Sequence, residues 1–190
     1  SNLLRGRRGT EHNISNHERD ENVVLIEKDR FSWIPVPNEH IGNTVHYSLK
    51  TLGSSESTRK IFTCEGRNLK PYSPAHVTGA RDTNGDLTIR WWRRTRIPSS
   101  WTAYEVPLVE ESEKYDLEIL DTDGNVVRTK SVTNNDIDNT AVFDTITREG
   151  VVYPSGEQVE DFGSLQDSVN IRVFQKNNIA GRGFPTEEVL

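Results

Sequence analysis

The chain of 190 residues has no methionine and one cysteine, Cys64. A single cysteine excludes internal disulfides and any thiolate cage for zinc, and its thiol is expected to act as a small buried hydrophobe. Methionine is missing even at the first position, and "SNLLRGRRG" opens the chain without a helix cap or strand boundary. The sequence therefore reads as a piece of a longer protein. No apolar run approaches the roughly 20 residues that cross a bilayer, and no charged stretch with an apolar core opens the chain as a secretion signal would. Positive charge is not in excess either: 23 Lys and Arg face 29 Asp and Glu, a net charge of -6. That balance argues against a nucleic-acid binder with a global basic footprint. No phosphate loop, nucleophile elbow or HExxH string occurs.

What is present is mainly strand-forming. The mean hydropathy of -0.70 implies much loop or solvated strand. Runs rich in β-branched and aromatic residues occupy 22–29, 31–37, 44–52 and 60–66, separated by Pro, Asn and Gly signals. Pro71 and Pro74 then favour extended linker backbone, and the domain boundary is expected there, giving a β-rich domain over 1–70 and a second domain over 71–190. Beyond it, "DTNGD" and "DTDGN" each join two apolar runs as hairpin turns, followed by strands over 140–146 and 168–177 and a closing segment "NIAGRGFPTEEV". No repeat of 20 to 50 residues is apparent. Short strands at this spacing predict an all-β chain whose second domain is an antiparallel, immunoglobulin-like sandwich.

The stretch "IRWWRRTR" at 89–96 places two tryptophans among four arginines. Successive side chains on a strand point to opposite faces, so both tryptophans cannot enter one core. Leu87, Ile89 and Trp91 alternate with Thr88, Arg90, Trp92 and Arg94, which assigns Trp91 to the core and Trp92 to the outer face. The same reading buries Tyr115, Leu117 and Ile119 against Asp116, Glu118 and Leu120, and buries Val169, Ile171 and Val173 against Asn170, Arg172 and Phe174.

The segments "LTIRWW", "YDLEIL" and "VNIRVFQKNNIAGRGFPTE" resemble a fibronectin type III domain over roughly 73–189. Val169 stands where that family carries a tyrosine, so the resemblance implies a missing tyrosine corner, together with an unusually long loop over 150–167. Over almost the whole chain, "LLRGRRGTE", "GRNLKPYSPAHVTGARDTNGDLTIRWWRRTR", "EVPLVEESEKYDLEIL" and "GRGFP" resemble the C-terminal region of phage tail-tip or baseplate hub (host specificity) proteins, which also occur in prophages and gene transfer agents. The resemblance implies a virion component at the tail tip, made in the bacterial cytoplasm and commonly trimeric. Its implied partners are other tail-tip proteins or copies of itself, and a bacterial surface glycan or receptor.

Candidate chemistry is sparse. His12 and His17 are five residues apart, which is not the i, i+4 pairing of a helical zinc site, and "DTDGN" lacks the acid that a calcium loop needs at Val132. No metal, cofactor or nucleic acid is expected. Glu110–Glu111 and Glu160–Asp161 are sequence neighbours, which on strands would face opposite ways and form no acid/base pair. Catalysis is not expected. Arg5, Arg7 and Arg8 suit an interchain ion pair or an anionic ligand. Trp92 is expected either beneath the guanidinium planes of Arg90 and Arg94 or, with them, at a partner interface. Trp101 and Tyr104 either plug the sandwich edge or stack on a sugar ring, the latter implying an accessory carbohydrate-binding module of a larger cell-wall-acting enzyme.

Overall fold

The structure, a computed structural model, describes residues 14–23, 27, 29, 32, 34–97, 106–133 and 150–190. The chain divides into two compact units, Ser1–Leu69 and Lys70–Leu190. In the first, β1 (Thr44–Leu49) and β2 (Thr58–Thr63) form an antiparallel ribbon, flanked by single 3-10 turns at Asn38–His40 and Arg67–Leu69. The described residues of the two runs expected as strands at 22–29 and 31–37 are not in strands. For the second run the reason is local: Pro35 and Pro37 remove two ladder donors from one short stretch.

The second unit contains β3 (Ala75–Arg81), β4 (Leu87–Trp92), β5 (Lys114–Leu120), β6 (Val126–Thr133), β7 (Val151–Tyr153), helix α1 (Ser155–Phe162), β8 (Asn170–Asn177) and β9 (Gly181–Val189). Its strands form two antiparallel sheets, ordered β3-β4-β7 and β6-β5-β8-β9. This is an all-β, fibronectin type III-like sandwich. The core comprises Leu87, Ile89 and Trp91 of β4, Tyr115, Leu117 and Ile119 of β5, Val132, Tyr153, and Val169, Ile171 and Val173. Period-two alternation thus places the inner faces of β4, β5 and β8 where the sequence puts them.

The two Asp-Thr-x-Gly-x turns have one local chemistry. Asp82 Oδ1 accepts the amides of Asn84 and Asp86, both at 2.9 Å, and Asp121 Oδ1 accepts those of Asp123 and Asn125 at 2.9 and 2.8 Å. Positive φ falls on Gly85 and Gly124 alone within these turns. Each loop is therefore a three-residue turn with glycine in the left-handed position, not the two-residue turn that Asn84–Gly85 suggests. At the far end Asn177 Oδ1 accepts the amides of Ile179 and Ala180 at 2.7 and 2.8 Å and shapes the β8–β9 turn.

Three other expectations are corrected. Pro71 and Pro74 do not form a free linker: their carbonyls accept Phe184 N at 3.1 Å and Thr186 Oγ1, which ties the segment to β9. Gly183 is where this approach is closest, since an added Cβ would lie 2.5 Å from the Pro71 carbonyl. The stretch 150–167 is not a plain loop but carries β7 and α1. Finally, Tyr115 through Leu120 are all buried, so the second face of β5 is covered too. Strand β5 is central in its sheet, and long side chains from β8 and β9 lie across its acidic residues.

Candidate interaction surface

Strand β4 ends in the tryptophan pair. Trp91 is 6% exposed and meets the Tyr115 ring edge-on, centroids 5.1 Å apart, whereas Trp92 is 36% exposed. The ring beneath the Arg94 guanidinium is that of Tyr72, at 5.4 Å, and Arg94 Nη1 also donates to Ser73 Oγ at 3.3 Å. Arg90 and Trp92 stand two apart on β4 and so share a face, while Arg94 lies beyond the strand end and its guanidinium is over Tyr72. Trp101, Tyr104, Arg5, Arg7 and Arg8, like the strand expected at 140–146, lie outside the described residues.

The other two arginines of the run face inward, which sequence reasoning missed. Arg93 Nη1 donates to Glu113 Oε2 at 2.6 Å, and its Nε donates to the Val106 carbonyl at 3.1 Å. Tyr115 Oη donates to the other oxygen of Glu113 at 2.6 Å. Glu113 is only 2% exposed, and both of its oxygens have partners, as a buried carboxyl requires. One step further out, Arg96 grips Glu110 in bidentate fashion at 3.0 and 3.1 Å, and Asn177 Nδ2 donates to Glu110 as well. The stretch is thus not an open basic patch. Arg93 and Arg96 clamp β4 to the segment preceding β5.

A second network covers the outer face of β5. Arg182 bridges Asp116 and Glu118 at 2.7 and 2.5 Å while its guanidinium lies 4.8 Å from the Phe174 ring. Lys176 and Ser131 also reach Asp116, at 3.1 and 3.0 Å, and Arg172 joins Glu118 to Glu187. Burial by itself raises the Asp116 carboxyl, but the hydrogen bonds from Arg182, Lys176 and Ser131 outweigh it and hold the group below its ordinary 3.8.

Helix α1 is fastened by a third. Its first amide, that of Ser155, donates to Asp86 Oδ1 at 2.7 Å, an anion at the positive helix end. Buried Gln158 donates to the carbonyls of Gly85 and Tyr153 at 3.0 Å each. Glu160 and Asp161, expected to diverge as strand neighbours, are helical and converge on Arg128, at 2.7 Å for Glu160 and 2.6 and 2.7 Å for Asp161. Tyr153 Oη donates to Asp161 at 2.7 Å. This bond ties β7 to α1. Burial, then the bond to Asp161, pushes the Tyr153 phenol far up. The Arg128 bonds hold the Asp161 carboxyl below its usual range.

Depressed carboxyls set the sign of the pH response. Asp116 and Asp161 contribute stability above the ordinary carboxylate value of about 4, and the contribution is lost as pH falls through their lower folded-state values. The urea midpoint is expected to be flat from neutrality to about pH 5 and to fall below about pH 4. Asp116→Asn should flatten that acid limb; an unchanged limb in the variant would remove Asp116 from the account.

Among the described residues no group of three or more His, Cys, Asp and Glu is arranged to hold a metal. His17 instead contacts Glu21 at 2.5 Å. No described helix is long and apolar enough to cross a membrane.

No protein-family model matches the chain, and no curated protein matches its sequence. Among solved structures the chain is similar to the rat CD45 extracellular region, domains d3–d4, with a TM-score of 0.39 and 11% identity over 93% of this chain and 78% of that one.

Proposed function

We propose that the chain is a non-enzymatic structural and adhesion module of a phage or prophage tail-tip protein, serving tail-tip assembly and host-surface recognition. One observation carries the reading. The segments that resemble tail-tip hub proteins interlock in the fold: "IRWWRRTR" is clamped to "EVPLVEESEKY" through Arg93–Glu113 and Arg96–Glu110, and "GRGFP" packs on Pro71 of "NLKPYSP". Their arginines and carboxylates hold the sandwich together at the end where Trp92 is displayed. A rigid module bearing an exposed Trp beside Arg suits docking, because these two residue types dominate interface hot spots.

The test displays the chain multivalently on intact cells of the bacterium whose genome carries it, with Trp92→Ala alongside. The expected result is saturable binding that weakens ~10-fold or more in the variant, the scale of a hot-spot truncation. Absence of binding by folded protein would remove the adhesion role and leave assembly, to be read from binding to the other tail-tip proteins.

A further inference from the structure

In the second unit the strand cations Arg128, Arg172, Lys176 and Arg182 each pair with carboxylates. The ribbon of the first unit is different. Every residue of β2 is exposed, including Ile61 at 67% and Phe62 at 50%, and neither Arg59 nor Lys60 has an ion-pair partner among the described residues. Among those residues β2 pairs only with β1, and no described residue pairs with its other edge. A lone two-stranded ribbon is marginal in water, and an unpaired edge beside apolar side chains is a template for another strand. Beside the end of β2 lies a groove of about 730 Å³ whose lining includes Ile34, Val36, Ile41, Ile61, Phe62 and Leu69.

We infer that the open edge of β2 receives an extended segment of a partner protein, in which two apolar residues are followed by two acidic ones. The order follows from the register rule that residues directly opposite on paired strands share a face. On one face of the ribbon Phe62 neighbours Lys60, and on the other Ile61 neighbours Arg59. An antiparallel partner strand must therefore set apolar side chains opposite Phe62 and Ile61, then carboxylates opposite Lys60 and Arg59. A second copy fits worse. Symmetric antiparallel pairing of β2 with itself would set Arg59 opposite Phe62 and Lys60 opposite Ile61, leaving four cations without a counterion. Main-chain bonds would supply affinity and the two charges the choice of partner. This inference rests on the first unit alone and is independent of the tail-tip reading.

The probe is a capped peptide reading Thr-Val-Val-Glu-Glu-Thr, titrated into the full chain while backbone amide resonances are followed. Saturable shifts confined to β2 and the groove are expected, with affinity falling as salt rises. The Arg59→Glu, Lys60→Glu double variant should weaken it ~10-fold or more and should prefer the peptide with lysines in place of the glutamates. Absence of saturable shifts on β2, equal binding of both peptides, or indifference to the charge reversal would each overturn the inference. Concentration-dependent dimerisation through the same amides would also overturn it, by assigning the edge to a second copy.

Discussion

Trp91→Ala is expected to destabilise the second unit severely and to lower its melting temperature by more than any other single tryptophan change. The ring lies between the two sheets, 6% exposed and edge-on to Tyr115, so truncation removes its transfer free energy and opens a cavity between strands that close neighbours cannot fill. Such changes cost ~3 to 5 kcal/mol. Against a total of about 5 to 15 kcal/mol this is a large fraction, and Tm should fall by more than about 10 °C. Trp92→Ala, one residue further along the same strand, should shift Tm by no more than a few degrees, because a third of its surface is already in water. Paired calorimetric melts settle the matter. Losses of equal size would mean that both rings are structural and that Trp92 is not a displayed side chain.

The second large effect concerns Arg93 and Glu113. Glu113→Ala removes the buried carboxylate that accepts from Arg93 Nη1 and from Tyr115 Oη. Breaking a buried pair from one side typically costs ~3 to 5 kcal/mol, whereas replacing both partners with apolar residues of similar volume is often close to neutral. Denaturant unfolding of Glu113→Ala, Arg93→Ala, the double alanine variant and an Arg93→Met, Glu113→Leu variant forms the relevant cycle. The single variants should each lose most of the stability, the double alanine variant much less than their sum, and the Met/Leu variant least. Additive losses would show that the two side chains act separately, with Arg93 held mainly by the Val106 carbonyl.

Much of this fold is legible from local pattern. Leu87, Ile89 and Trp91 occupy the core because a strand alternates its faces, whatever it pairs with. Asp82 and Asp121 make the same turn because carboxylate, two amides and glycine all lie within five residues. The misreadings arise where a distant element changes the environment. Asp116 and Glu118 read as solvent-facing since nothing near them in sequence predicts that Arg182, more than 60 residues away, lies over both. Glu160 and Asp161 read as diverging because a strand was assumed; in α1 they stand together beside Arg128. Arg93 and Arg94 look equivalent as letters, yet one is buried against Glu113 and the other stacks on Tyr72.

The sequence by itself determined the all-β class, the hairpin positions, the inner faces of β4, β5 and β8, and which tryptophan is buried, because each depends on alternation or on turn chemistry within a few residues. Only the tertiary structure decided which charges neutralise one another, how Tyr153 and α1 are joined through Asp161, and that Arg59 and Lys60 on β2 have no ion-pair partner among the described residues. Ion pairing depends on separations of a few ångströms between residues that the chain brings together from far apart, and strand pattern carries no information about those distances.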